Sequence, residues 1–116
     1  MVFEFKREIE TVTAYGKDYP VPTMTISVHN KLNEVVKRIN DSIKKGDTVE
    51  NTKAMLDGIA VFIGEDEVKR IFPSVETADT DEVYAFWATL KKVCNDNTDA
   101  VIKKYTPNTY IRQHND

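Results

Sequence analysis

The stretch Gly64-Glu65-Asp66-Glu67-Val68-Lys69-Arg70-Ile71-Phe72-Pro73 constrains this chain more than any other. It reads as an amphipathic helix of one to two turns, here placed at about 66–72, with a stop signal at each end. Gly64 can adopt the left-handed conformation that ends a preceding helix. Asp66 and Glu67 put negative charge at the N-terminus of the next one, and Pro73 stops it after Ile71 and Phe72. The segment lies between two longer helical stretches and organises the domain. Its residues form no catalytic arrangement.

Upstream, the hydrophobic period changes once. From Phe3 to about Thr25 it is strand-like: Phe3 and Phe5 alternate with charged residues, and Thr11, Thr13 and Tyr15 alternate with Val12 and Ala14. Gly16-Lys17-Asp18 supplies a turn, and Tyr19 to Met24 can return as a second strand. Pro20 and Pro22 each remove a backbone donor, so the return strand is expected to lie at a sheet edge or to be irregular. The expected unit is an antiparallel hairpin or meander over about 3–24. A two-stranded ribbon is marginal alone, so it must pack on the helices.

After Thr25 the period becomes helical. Val28, Leu32, Val35, Val36, Ile39 and Ile43 form one stripe, with charged residues opposite, giving a helix over about 28–45. Ser27 is its expected N-cap and Gly46 its C-cap; Glu34 with Arg38 and Asp41 with Lys45 are expected i,i+4 pairs. A second helix over about 48–63 starts from Asp47 or Thr48, with Glu50 three residues after Asp47 as in a capping box. It is expected to bury Val49, Met55, Leu56, Ile59, Phe62 and Ile63. Gly58 inside it costs about 1 kcal/mol of helix propensity relative to Ala, which is understandable if another element approaches closely there. The last helix, about 80–104, opens on Asp79-Thr80-Asp81-Glu82. Its apolar side is traced by Val83, Phe86, Trp87, Leu90, Val93, Cys94, Asn97, Val101, Ile102 and Tyr105. The expected fold is therefore α+β and mainly α. A small N-terminal antiparallel hairpin or meander packs on three to four helices in one globular domain over 1–105, followed by a flexible tail over 106–116.

Composition sets the outer bounds. With 116 residues, 41% hydrophobic and 30% charged, the chain suffices for a single core. A net charge of −3 disfavours nucleic acid as a partner. The longest apolar run, Ile59 to Ile63, falls far short of the roughly 20 residues that cross a bilayer, and the N-terminus lacks the apolar core of a signal peptide. The expectation is a soluble protein with no membrane partner. The single cysteine, Cys94, lies on an apolar helical stripe and reads as a buried thiol in a reducing compartment. His29 and His114 are not placed by sequence to serve Cys94 as a base. Glu76, Asp79, Asp81 and Glu82 lack the glycine and glutamate positions of a calcium loop and read as helix capping. No phosphate loop, zinc-ligand pairing or nucleophile elbow is present. The expectation is no catalytic residue, no cofactor and no metal.

The order of these parts resembles small tail-assembly chaperones of siphophages and prophages of Gram-positive bacteria. The resemblance rests on the Gly16-Lys17-Asp18-Tyr19 turn, the helix end Ile63-Gly64-Glu65, the segment Val68-Lys69-Arg70-Ile71-Phe72-Pro73, and a long helix closing on Tyr105-Thr106-Pro107-Asn108. It covers nearly all of the chain. Family members often continue with arginine-rich sequence, whereas this chain has Thr109 and a single Arg112. The resemblance implies a non-enzymatic protein in the cytoplasm of the bacterial host that holds the tape-measure protein soluble and recruits tail-tube subunits. The alternative is a phage-encoded module that binds and regulates a host protein. A homo-oligomer is left open. The apolar residues that a core of this size need not cover are Val101, Ile102 and Tyr105 on the last helix and Tyr110 and Ile111 in the tail. These are the expected partner contacts.

One prediction follows from the absent ligand set. Chelator treatment is expected to leave the melting temperature unchanged, whereas a fall of several degrees in a thermal melt would reveal a structural metal.

Overall fold

A computed structural model describes residues 10–105, and of Tyr105 only the backbone. Phe3, Phe5 and the rest of the expected first strand segment, and the expected tail over 106–116, lie outside the described residues. Within them the chain is mainly α with a small antiparallel hairpin, as the patterning predicts.

Strand β1 (Thr11–Ala14) pairs with β2 (Lys17–Pro20) in a register that sets Val12 opposite Tyr19 and Thr13 opposite Asp18. The turn is Tyr15-Gly16, one residue earlier than the sequence predicts. Both residues have positive φ, 53° and 80°, as in the two-residue turn whose twist matches that of paired strands. Lys17 and Asp18 are thereby drawn into the ladder, where Asp18 accepts a hydrogen bond from the Thr13 hydroxyl. β2 also ends sooner than expected, at Pro20 rather than Met24. The Val21 amide adds one further bond to the Glu10 carbonyl at 2.8 Å, and Pro22 has no amide with which to continue. Val12, Tyr19 and Val21 are buried beneath the ribbon.

Helix α1 (Ile26–Lys45) is capped by Thr25, not Ser27. The extended backbone of Thr25 brings its hydroxyl to accept from the Val28 amide at 3.2 Å, and Ser27 is already within the first turn. α1 ends on Gly46 in the left-handed conformation. Helix α2 (Thr48–Ile63) begins with Asp47 accepting from the Glu50 amide at 3.0 Å. The reciprocal half of the capping box is not made, because Glu50 turns its carboxylate to Arg38 at 2.9 Å. Arg38 also reaches Asp57 at 2.6 Å, so it clamps α1 to α2 instead of pairing with Glu34 along its own helix. The expected Asp41–Lys45 ion pair is likewise not formed. Gly64 takes a positive φ of 91° but an extended ψ of 153°, outside the left-handed helical region predicted for it. The chain therefore breaks direction at one residue, and helix α3 (Glu65–Ile71) starts immediately. Helix α4 (Thr80–Tyr105) is capped by the Asp79 carboxylate, which accepts from the amides of Asp81 and Glu82 at 2.9 and 3.2 Å.

α2 lies at the centre, with α1, α3 and α4 all packed on it. A Cβ added at Gly58 would stand 2.5 and 2.8 Å from the Trp87 ring and 2.8 Å from Val35. The close approach expected at this glycine is therefore made by α1 and α4 together. Around it Leu32, Val35, Leu56, Ile59, Phe62, Val83, Trp87 and Leu90 form the core, and Cys94 is sealed against the Met24 thioether at 3.2 Å. Two expected core residues are not in it: Ile43, 65% exposed, and Val49, 58% exposed. Both lie near the α1–α2 turn, where the first turns of α4 leave them uncovered.

Replacing Gly58 with Ala would ordinarily gain about 1 kcal/mol of helix propensity. Here the added methyl must displace Trp87 and Val35 in a packed core. Gly58→Ala is expected to destabilise the protein by about 1–3 kcal/mol in urea denaturation.

Candidate functional site

Three surfaces merit attention. The first is a polar clasp between the hairpin and α3. Glu67, in the first turn of α3, accepts from the Tyr19 hydroxyl at 3.0 Å and from Arg70 Nε at 3.0 Å, and pairs with Lys17 Nζ at 2.9 Å. Arg70 Nη2 donates in turn to the Tyr19 hydroxyl at 2.9 Å and to the Tyr15 carbonyl at 3.3 Å. Arg70 first, then Lys17, hold the Glu67 carboxyl down at a pKa of about 2. The hydrogen bonds of Arg70 to Glu67 first, and then to Tyr19, raise its own pKa.

Beside the clasp, the Tyr15 ring packs edge-on to Phe72 at 5.8 Å and tilted against Phe86 at 5.3 Å. Its hydroxyl points to Glu82 at 3.4 Å, and partial burial followed by the Glu82 carboxylate raises its pKa. These contacts hold a non-glycine residue at positive φ, a conformation that surrounding structure must enforce. The cluster lacks a nucleophile–base pair. Lys17 and Arg70 share the Glu67 carboxylate, which fastens the hairpin to α3.

The second surface is an apolar notch of about 310 Å³ lined by Ser42, Ile43, Met55, Asn51, Thr48 and Tyr84, among others. Packed helices diverge away from their closest approach. α1 and α4 meet over Gly58 through Val35 and Trp87, and toward the α1–α2 turn they part. Ile43 on α1 and Tyr84 on α4 become the walls, and Met55 and Asn51 of α2 the floor. The Asn51 amide donates to the Ser42 hydroxyl at 3.1 Å, which satisfies the polar part of the floor. Tyr84 is 59% exposed. A neighbouring hollow of about 480 Å³ shares Thr48 and is lined by Val49, Val75 and Ala78.

The third surface is the distal part of α4. The last core position on this helix is Asn97; Val101 is half-buried and Ile102 is 53% exposed. The structure thus places two of the five expected partner contacts, Val101 and Ile102, on one helix end at the margin of the core. The Tyr105 side chain, Tyr110 and Ile111 lie outside the described residues. The notch was not foreseen. Its signal in the sequence was that Tyr84 departs from the stripe of Val83, Phe86, Trp87 and Leu90, giving α4 a second apolar face.

Among the described residues, no three His, Cys, Asp or Glu side chains are grouped to hold a metal ion, and no helix is long and apolar enough to cross a membrane.

The clasp makes a pH prediction. Because the folded-state pKa of Glu67 lies near 2, below the ordinary 4.5, its contribution is complete above about pH 4.5 and is lost as the pH falls through 2. Glu67→Gln is expected to flatten that acid limb in stability measurements across pH 2–5 and to leave the dependence above pH 5 unchanged. Comparison of the chain with protein-family models, with curated proteins and with solved structures finds no match.

Proposed function

We propose that this protein is a non-enzymatic assembly factor of phage or prophage tails, a chaperone of the tail-assembly kind that binds the tape-measure protein and tail-tube subunits in the cytoplasm of the bacterial host. The order of hairpin, helices and short interrupted segment motivates the reading. The observation that carries it is the apolar surface that α4 extends past the core at Val101 and Ile102.

A long, aggregation-prone helical partner can lay an amphipathic helix against such a surface, with its apolar anchors at i, i+3 and i+4 spacing. Asp99, Lys103 and Lys104 are exposed around these positions and supply the charged rim that keeps a complex soluble. Tyr110 and Ile111 extend the same apolar character along the sequence.

Ile102→Asp puts a charge at the centre of this surface without touching the core. Co-expressed with a tape-measure fragment, the wild-type chain is expected to raise the soluble yield of the fragment and to co-purify with it. Ile102→Asp is expected to weaken that binding at least tenfold, about 1.4 kcal/mol, with an unchanged melting temperature. Removal of 106–116 measures the share of Tyr110 and Ile111. Genes for a major tail protein upstream and a tape-measure protein downstream separate this reading from a host-directed module. No binding to the fragment by the wild-type chain would overturn it.

A further inference from the structure

We infer that the channel between α2 and the 72–79 connection is a docking groove for an acidic peptide segment of a partner protein, one that sets apolar side chains beside a carboxylate. This is independent of the tape-measure reading. Thr80, at the edge of the groove, and Ile102 are separated by 22 residues of α4, about 33 Å, so the two surfaces lie far apart.

The groove consists of two joined hollows. The inner one, of about 280 Å³, lies between α2, α3 and the chain that follows α3, and Leu56, Val68 and Phe72 give it an apolar floor. The outer one is the hollow of about 480 Å³ at Val49, Val75 and Ala78. Lys53, Ser74 and Val75 line both, so the two are continuous. From Val49 to Asp57 the groove follows eight residues of α2, about 12 Å, the length of about two helical turns or of about four extended residues. A small anion would leave most of it empty, whereas a peptide fills it. Val49 is 58% exposed, so its apolar surface is open to a partner side chain.

Charge selects the chemistry of the occupant. The charged side chains that line the inner hollow are Arg38, Lys53, Asp57 and Lys69. Arg38 and Asp57 neutralise each other at 2.6 Å, and Glu50 holds Arg38 from outside this hollow at 2.9 Å. Lys53 and Lys69 are exposed and form no ion pair among the described residues. Ser74 Oγ already accepts from the Glu76 amide at 3.2 Å, which leaves the hydroxyl proton to donate. On a chain whose net charge is −3, the inner hollow thus offers two uncommitted cations and a hydroxyl donor, a set that suits a carboxylate. The outer hollow adds one further charged side chain, Glu76, exposed and without an ion pair among the described residues. An occupant therefore lies with its acidic end over Lys53 and Lys69 and its apolar end over Val49 and Val75, where Glu76 repels a second carboxylate.

The full chain tests this by fluorescence anisotropy with a dye-labelled, end-blocked peptide of about ten residues that carries glutamates at one end and leucines at the other. The wild type is expected to bind it saturably, and to bind peptides with glutamine or lysine for glutamate, or serine for leucine, at least about tenfold more weakly. Lys53→Glu combined with Lys69→Glu is expected to reverse the order, so that the lysine peptide binds more tightly than the glutamate peptide. Both lysines are exposed, and far-ultraviolet circular dichroism is expected to stay unchanged. Lys44→Glu combined with Lys45→Glu makes the same change in net charge in the last turn of α1, outside the groove, and is expected to leave binding of the glutamate peptide within about twofold. Ile102→Asp is likewise expected to leave it intact. No saturable binding by the wild type, an equal loss in the Lys44 and Lys45 variant, an order that does not reverse, or binding indifferent to the leucines would each overturn the inference. A wild-type dimer in sedimentation velocity that Lys53→Glu with Lys69→Glu dissolves would assign the groove to a second copy and overturn it as well.

Discussion

The helices are arranged around a missing side chain. Gly58 lets Trp87 of α4 and Val35 of α1 meet over α2 at distances no Cβ would allow, so three helices converge on one point near the middle of the core. Elements that converge at a point must separate elsewhere. α1 and α4 make few direct contacts with each other, and their shared neighbour α2 sets their relation. The notch between Ile43 and Tyr84 is the geometric remainder of that convergence. Any residue larger than glycine at position 58 must displace Trp87 or Val35 and so loosen the core.

The hairpin depends on a different device. Four-residue strands joined by a two-residue turn do not persist in water unsupported. Here the ribbon is held at β2 by polar groups and at its turn by rings. Glu67 and Arg70 engage Tyr19, Lys17 and the Tyr15 carbonyl, while the Tyr15 ring is held between Phe72 and Phe86. Every α-helical partner in that fastening comes from α3, from the residue just after it, or from the first two turns of α4. The short interrupted segment therefore earns its place by presenting a charged turn and an aromatic stop to the ribbon.

Much of this was legible in the sequence because the signals were local. The change of period after Thr25, the cap at Asp47, the stop at Gly46 and the acidic opening of α4 each act within a few residues. Gly58 was legible as an anomaly, a glycine where propensity argues against one. What escaped was set by distance along the chain. Arg38 has a carboxylate one turn earlier on its own helix at Glu34, yet it crosses to Glu50 and Asp57, because a clamp between packed helices offers two acceptors. Tyr15 sits at positive φ because residues 57 and 71 positions later hold its ring. Ile43 and Val49 continue apolar stripes that read as core, but a stripe does not say where the covering helix begins. The candidate surfaces lie at such margins, so Val101 and Ile102 could be anticipated from the length of α4, whereas Tyr84 could not.

The single thiol of the chain gives this arrangement a clock. Cys94 is 1% exposed and lies 3.2 Å from the sulfur of Met24, in the segment that leads from the hairpin into α1. A reagent that alkylates thiolates can reach it only after α4 and that segment part. Under conditions where reclosing outpaces alkylation, the observed rate divided by that of an unfolded thiol is the equilibrium constant for this opening. The molecule thus carries a native probe for the seam where its β and α portions join.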